Sequence, residues 1–597
     1  MNVCQRIAAF RACMEKEGFS VVIVPTADSH ASEYLAEYFK TRQWLCGFTG
    51  SAGTLVVGRD EAALFVDGRY FIQAEKQLEG SGVTLMKMGM AGVPEVEDYV
   101  LSLVGKDEKI GVDFGCVSAM YVSKLMARAG KKGAVLHDTG DWFADLWQDR
   151  PAMPDAKVFM LGMEQTGRSV EDKLAAIREV MKKEGATRHV NNVLDDIAWT
   201  LNVRGGDVLN TPVVMSYLVV SLHDAVWYVD EKKISDEIRA ALAAAGVKIA
   251  PYESIVDALY HEYKNERAML DGDKLSAKLY AAFLMSDYVL HENPAMRMKA
   301  IKNEVELANL RNAHIKDGAA VTRLMYWLKK NAGKVEMTEL SVSEYLYQLR
   351  ARQAGFISPS FNTICAYRAN AAMMHYSATE ESHAVIEPRD LLLIDSGGQY
   401  MEGTTDITRT FAMGDVSDEQ KKHFTAVLVG MLSLQNAKFL HGCTGITLDI
   451  LARGPMWDMG IDYRCGTGHG VGYLLGVHEG PNSFRWYKSP TRMENTVLEA
   501  GMVTTDEPGV YIEGSHGIRT ENELVCVKLE ENEYGQFMGF ETITYCPIDL
   551  DAVAPELMTA RQKTWLNDYH AMVREKLMAH MENDDERAWL AHATRAI

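Results

Sequence analysis

No two of the nine cysteines form a C-x-x-C pair, and their number is odd, scattered from Cys4 to Cys546. That excludes a disulfide framework and a zinc-finger pattern, and it fits reduced thiols in the cytosol. Long apolar runs are also missing, since no stretch reaches the roughly 18 residues of a membrane span. The opening "MNVCQRIAAFRACMEKEG" reads as an amphipathic helix with charges throughout. It has neither the apolar run nor the small-residue cleavage site of a signal peptide. Basic residues are in deficit: 62 Lys and Arg face 82 Asp and Glu, a net charge of −20. This excess repels nucleic acid and argues against a general phosphate-binding surface. The acidic charge is dispersed, with no acidic tail, as solubility alone requires. The expectation is a cytoplasmic protein with no nucleic-acid or membrane partner.

What is present is a globular composition, 47% hydrophobic, over 597 residues, too long for a single core. The first part alternates strand and helix signals. "SVVIVPTADSH" (20–30), "GTLVVG" (53–58) and "AALFVDGRYF" (62–71) read as strands, the last two as a hairpin, and "DEKIGVDFG" (107–115) adds another. Two prolines in "DRPAMPDA" (149–156) mark a linker. A similar series follows it. "AVWYVDEKK" (225–233) echoes "AALFVDGRY", and "NVRGGDV" echoes "GFTGSAG", which hints at two domains of one type. From about Asn303 a long amphipathic helix is expected, with Val305, Leu307, Leu310, Ala313, Val321, Leu324 and Leu328 at helical spacing. Ser341 with Glu344, and Ser417 with Gln420, read as capping boxes of later helices. The charged stretch 559–594 reads as a terminal helical packing element.

Five acid or imidazole side chains stand in strand ends and turns rather than on solvated helix faces. Asp395 ends the apolar run "LLLIDSGG", where an unpaired charge is costly to bury. Asp406 follows in "GTTDITRTF", and the intervening "SGGQYMEG" can turn the chain so that the two strands pair. His469 sits in "YRCGTGHGVG", a stretch suited neither to a helix nor to a packed strand interior. Glu507 lies in "TTDEPGVY" and Glu521 in "GIRTENELVCV". Each alone has an ordinary structural use, such as capping a turn. Converged in one sheet, four carboxylates would repel strongly and would need protons or cations. Two divalent ions would offset that charge, and four carboxylates with one imidazole suit Mn2+, Co2+ or Zn2+.

Together, "LLLIDSGGQYMEGTTDITRTF", "GTGHGVG", "TDEPGVY" and "GIRTEN" resemble the Xaa-Pro aminopeptidases, metallopeptidases of the pita-bread fold. "TADSHASEYLAEYF", "GFTGSAGT", "DGRYFIQAEKQL", "LDDIAW", "RGGDV", "AHIKDGAAV" and "GVHEGPN" extend the likeness over nearly the whole chain, to the long three-domain form. The resemblance implies an α/β (α+β) protein. Two creatinase-like α/β domains (1–150 and 151–295) precede a pita-bread catalytic domain (296–545) and a C-terminal helical extension (546–597). It implies two divalent ions, Mn2+ ahead of Zn2+ or Co2+, with Asp395 on one, Asp406 and Glu521 bridging, and His469 and Glu507 on the other. A hydroxide between the metals would attack the carbonyl, and Glu507 would accept and shuttle its proton. His375 and His478 would bind the peptide and stabilise the tetrahedral intermediate, and Arg519 would orient the site.

The implied reaction releases the N-terminal residue from peptides with proline second. That preference has a physical basis, because the bond before proline has no N–H and the ring fixes φ. Homodimerisation is a further implication. Relatives commonly have histidine where Cys465 stands. A thiol is a weaker hydrogen-bond partner and is rarely charged at neutral pH, so Cys465 is expected to tune rate or specificity and not to hold metal. The glycines at 466, 468, 470 and 472 are expected to leave room for substrate. The alternatives are a prolidase that cuts only Xaa-Pro dipeptides and a metal-free, peptidase-like binding module. The filled ligand positions and the long front half favour neither.

Overall fold

The apolar run Phe19–Pro25 (β1) is continuous because both of its faces are covered. Val22 and Val24 pack in one core with Phe10 and Leu55, while Val21 and Ile23 pack in another with Val100 and Leu125. In the computed structural model, which describes residues 1–263, 266–488 and 495–597, β1 is the centre of a six-stranded sheet. Its other strands are Thr54–Gly58 (β2), Ala62–Val66 (β3), Thr84–Lys87 (β4), Lys109–Val112 (β5) and Val135–Asp138 (β6). The order is β4-β3-β2-β1-β5-β6, and the expected β2–β3 hairpin is antiparallel. β1, β5 and β6 run parallel.

The second series repeats this layout. Arg188–Asn191 (β7), Ser216–Ser221 (β8), Ala225–Val229 (β9), Val247–Ala250 (β10), Ala268–Leu270 (β11) and Tyr288–Leu290 (β12) form a sheet of order β10-β9-β8-β7-β11-β12. Strand directions match throughout: β7 pairs antiparallel with β8 and parallel with β11, as β1 does with β2 and β5. The internal similarity hinted at by the sequence is therefore a repeated topology. Both sheets lie in one compact unit, Met1–Met163 with Arg168–Met296.

The other unit is Glu164–Gly167 with Arg297–Ile597. Its long helix Glu304–Asn331 (α1) starts where expected, with a capping box between Asn303 and Glu306. Val305 is a correction to the apolar stripe, since it faces solvent, 37% exposed. The next helix, Glu339–Ala351 (α2), also differs from expectation. Its cap is Thr338, closed by Ser341, one turn before the expected box, and Glu344 accepts instead from Gln348 Nε2 at 3.0 Å. Asp418–Gln435 (α3) carries the expected Ser417–Gln420 box. It packs on Gly445–Trp457 (α4) through Gly430, where a Cβ would meet Ala452 O at 2.2 Å.

Three sheets of this unit carry the site. The first consists of Ile364–Tyr367 (β13), Leu391–Ser396 (β14) and Ile407–Ala412 (β15). The second consists of Phe439–Leu440 (β16), Gly468–Gly470 (β17), Glu479–Phe484 (β18), Val503–Asp506 (β19), Asn522–Asn532 (β22) and Gly535–Thr542 (β23), in the order β16-β23-β22-β19-β17-β18. Gly509–Ile512 (β20) and His516–Arg519 (β21) form a hairpin. The C-terminal stretch is helical over Ala560–Leu577 and Asp584–Ala593. Leu566, Tyr569, Val573 and Leu590 join the core around α3, a packing role as expected.

Candidate metal centre

Asp395 and Asp406 are brought together by strand pairing. β14 and β15 run antiparallel with Asp395 opposite Thr408, so Asp406, just before β15, returns beside it. The Asp406 N–H donates to Glu523 Oε1 at 2.7 Å, and Glu523 lies 3.0 Å from His314 Nε2 on α1. Glu521 leaves β21 toward β22. Its N–H donates to Thr408 O at 3.2 Å, and its Oε2 accepts from Thr408 Oγ1 at 2.8 Å.

His469 lies on β17, between β18 and β19. The expectation that this stretch avoids a strand interior is corrected here, and so is the reason for its glycines. A Cβ at Gly468 would meet Thr505 O at 1.8 Å, and one at Gly470 would meet Glu479 O at 2.2 Å. Glycine stands at these two positions because neighbouring strands approach the backbone closely, not to make room for substrate. Glu507 follows β19, and its N–H donates to Thr467 O at 2.7 Å.

One ligand-type atom each from Asp406, His469 and Glu521 lie within 4.8 Å of one another, and could hold one ion. His469 Nε2 is 3.4 Å from both Asp406 Oδ2 and Glu507 Oε1. The carboxylates are crowded and dry: Asp395, Asp406 and Glu521 are all buried. Asp395 Oδ1 and Glu521 Oε1 have no hydrogen-bond partner among the described residues. Burial, then repulsion from Asp395 and Glu507, pushes the Asp406 carboxyl far above its usual range. Burial, then Asp406 and Glu507, does the same to Glu521, and burial raises Glu507. Orphaned buried oxygens beside mutually repelling carboxyls are what bound cations would relieve. The donor set therefore fits hard or borderline divalent ions.

Arg519 binds Asp395 Oδ2 through Nη2, and donates to Tyr511 OH at 2.6 Å and to Thr408 Oγ1 at 3.1 Å. It thus fixes one carboxylate and shares Thr408 with Glu521. The His478 ring stands edge-on to His469, with centroids 4.2 Å apart. His375 is half-buried, on the segment whose Met374 carbonyl lies 3.5 Å from Arg519 Nη2. Burial pushes the Cys465 thiol up to about 12, with Glu507 adding to the effect, so it is neutral.

Sequence reasoning missed the residues that hold this framework. Glu339 on α2 is fully buried and accepts from Tyr367 N (2.6 Å), Asn370 Nδ2 (3.0 Å), Tyr376 OH (2.8 Å) and Ala384 N (2.7 Å), pinning the segment that bears His375. On α4, Arg453 pairs with Asp449 at 2.8 Å, with neither side chain exposed. The same guanidinium donates to Tyr463 O at 2.8 Å and Cys465 O at 3.0 Å. Thr467 Oγ1 donates to Asp449 Oδ1 at 2.5 Å. The run-in to His469 is therefore fastened to one buried ion pair. An Asp and an Arg four apart on a helix were the available signal.

Comparison with known proteins agrees with this layout. The metallopeptidase family M24 profile matches residues 308–528, and its C-terminal region matches 536–597. Creatinase/prolidase N-terminal domain profiles match 6–146 and 149–306. A probable Xaa-Pro aminopeptidase P of Laccaria bicolor is 37% identical over 98% of this chain and 92% of its own length. The crystal structure of an X-prolyl aminopeptidase from Caenorhabditis elegans, described as a cytosolic enzyme with a di-nuclear active site, superposes with a TM-score of 0.95. It is 31% identical, and the match covers all of both chains. A Xaa-Pro dipeptidase from Bacillus anthracis, 25% identical with a TM-score of 0.51, matches 64% of this chain and 99% of its own. The chain belongs to metallopeptidase family M24, within its Xaa-Pro aminopeptidase P members.

Proposed function

We propose that this protein is a metal-dependent aminopeptidase that releases the N-terminal residue from peptides with proline in second position. The observation that carries the reading is the gathering of Asp406, His469 and Glu521 around one point, with Asp395 and Glu507 beside them and buried oxygens left without partners. Asp395 would hold one metal, His469 and Glu507 the other, and Asp406 and Glu521 would bridge. Mn2+ is the favoured pair, ahead of Zn2+ or Co2+. When bound, the two ions supply a Lewis acid for the scissile carbonyl and acidify an attacking water.

The chain's own residues do the rest. Glu507, 3.4 Å from His469 Nε2, takes the water's proton and delivers it to the departing imide nitrogen. His478, against the His469 ring, and His375, on the segment anchored by Glu339, orient the peptide carbonyl and hold its developing negative charge. Arg519 keeps Asp395 aligned. A neutral Cys465 can give only a weak hydrogen bond toward substrate, so it sets rate or specificity. Two creatinase-like domains (1–150 and 151–295), a catalytic domain (296–545) and its C-terminal extension (546–597) make up the enzyme. It would work in the cytosol as a homodimer on peptide substrates.

The test is hydrolysis by Mn2+-loaded protein of Arg-Pro-Pro, of the dipeptide Ala-Pro and of a proline-free tripeptide, each with and without chelator. Cleavage of Arg-Pro-Pro to free arginine, abolished by chelation, is expected. Cleavage of Ala-Pro alone would make the protein a prolidase. No cleavage of any peptide would leave a binding module.

A further inference from the structure

The unit holding the two six-stranded sheets contains a cavity of about 440 Å³. That is the size of a small-molecule site. Its walls come from the carboxyl ends of parallel strands in both sheets: Asp113 and Cys116 after β5, Asp141 after β6, Asp230 after β9 and Tyr252 after β10. Open α/β sheets bind their ligands outside the carboxyl ends of their strands. None of the candidate metal ligands or peptide-binding residues lines it.

The wall's chemistry selects a class of ligand. Lys278 on the wall is exposed, and the two more enclosed cations are already matched: Arg150 lies 2.5 Å from Asp141, and Lys233 lies 2.6 Å from Asp207. The wall's carboxylates are not, because no ion pair is made by Asp113, Asp230 or Glu253 among the described residues. Asp113 accepts only from Gly115 N at 2.8 Å and the Cys116 thiol at 3.5 Å. Burial, with Asp138 and Asp141 adding repulsion, holds its carboxyl above the usual range. Beside the cavity, Asp28 is 2% exposed, and its Oδ2 has no hydrogen-bond partner among the described residues. Asp28 also acts electrostatically on the wall residues Cys116, Tyr217 and Tyr252.

The aromatic part of the wall is preorganised. The Tyr217 and Tyr252 rings stack 5.0 Å apart, with His30 4.6 Å from Tyr217. His30 Nδ1 lies 2.9 Å from Asn192 O, which can only accept, so the ring carries its proton there. Its Nε2 then accepts from Tyr252 OH at 2.8 Å, and the same hydroxyl oxygen lies 3.3 Å from Tyr217 OH. Unpaired carboxylates and π faces favour a positively charged, hydrogen-bond-donating guest.

We infer that this cavity binds a small organic cation, an amine or guanidinium compound with an apolar body, held by Asp113 and Asp230 and by the faces of Tyr217 and Tyr252.

Isothermal titration calorimetry on the full chain tests this, with agmatine as the cationic probe and glutarate as an anionic compound of similar length. The titrations are made on both chelated and Mn2+-loaded protein. One agmatine per chain is expected, with equal affinity in both forms, and no heat from glutarate. Asp113→Asn and, as an independent variant, Asp230→Asn should each weaken agmatine roughly tenfold or more while circular dichroism stays native. No agmatine binding at millimolar concentration would overturn the inference, as would equal binding of glutarate. So would full affinity in both variants. Agmatine binding that disappears on Mn2+ loading would place it at the catalytic carboxylates and equally refute the assignment.

Discussion

Arg453 is the side chain whose loss should separate fold from metal binding most clearly. Replacing it with Met keeps the length of the side chain and removes the charge. Asp449 is then left buried with no cation, and both side chains of that pair are fully enclosed. Breaking a buried pair by removing one partner costs roughly 3–5 kcal/mol. A second loss is local. The carbonyls of Tyr463 and Cys465 lose their donor, and the segment that enters β17 is freed just ahead of His469. Thr467, which receives the Glu507 N–H, belongs to the same segment. Groups that orient metal ligands typically contribute about 10–100-fold in affinity or activity. Arg453→Met should therefore lower the denaturation midpoint and weaken Mn2+ by that factor, read by calorimetry at a temperature where the variant is folded. Adding Asp449→Asn removes the stranded charge. It should recover part of the stability but not the metal affinity, because the carbonyls remain without a donor. A folded Arg453→Met protein with parental Mn2+ affinity would refute the reasoning and leave the pair as packing alone.

Gly468→Ala should abolish Mn2+ binding and activity, because its Cβ would meet Thr505 O at 1.8 Å and part β17 from β19; retained activity would contradict that packing. Metal binding should release protons, because burial and mutual repulsion raise the carboxyls of Asp406 and Glu521. Calorimetry in buffers of different ionisation enthalpy reads this release, and the apparent affinity should rise with pH. The same two groups set the pH dependence of the chelated protein. Their folded pKa values lie above the unfolded ones, so their stabilising effect is complete in acid and is lost as pH rises from about 4 through the folded values. Mn2+ should cancel that loss. His570 acts in the opposite sense. Burial, then Arg409, lowers its pKa to about 3, and its Nε2 accepts from Ile548 N at 3.0 Å. The unfolded chain takes up a proton below about 6.5 that the folded chain refuses. Stability should therefore fall as pH drops from 6.5 toward 3, and His570→Gln should flatten that limb in urea titrations at several pH values.

Strand and helix periodicity made much of the fold legible. The β2–β3 hairpin, the start of α1 at Asn303 and the pairing of Asp395 with the strand after Asp406 all follow from local pattern and turn residues. The repeat was visible only as two echoed phrases, because strand order depends on pairings between distant segments. The cap of α2 was misplaced because Thr338 closes on Ser341, a less usual partner than the Glu that the pattern rule seeks. The glycines around His469 were seen, but their reason was not. How close Thr505 O and Glu479 O come to the β17 backbone is a tertiary fact. Arg453 and Asp449 stand four apart on a helix, a spacing common to exposed pairs, and their complete burial depends on the segment 462–467 that wraps over them. Residue types at strand ends thus pointed to the candidate ligands, while the groups that hold them in place were hidden by long-range packing.

The central reading is that five side chains distant in sequence hold two metal ions together. It is tested most directly by counting the ions retained after Mn2+ loading and gel filtration in the parent and in Glu521→Gln, with elemental analysis as the readout. Two Mn2+ per parent chain are expected, and at most one in Glu521→Gln, with Arg-Pro-Pro hydrolysis lost in parallel. A parent that retains no metal, or a Glu521→Gln variant that keeps both ions, would contradict it.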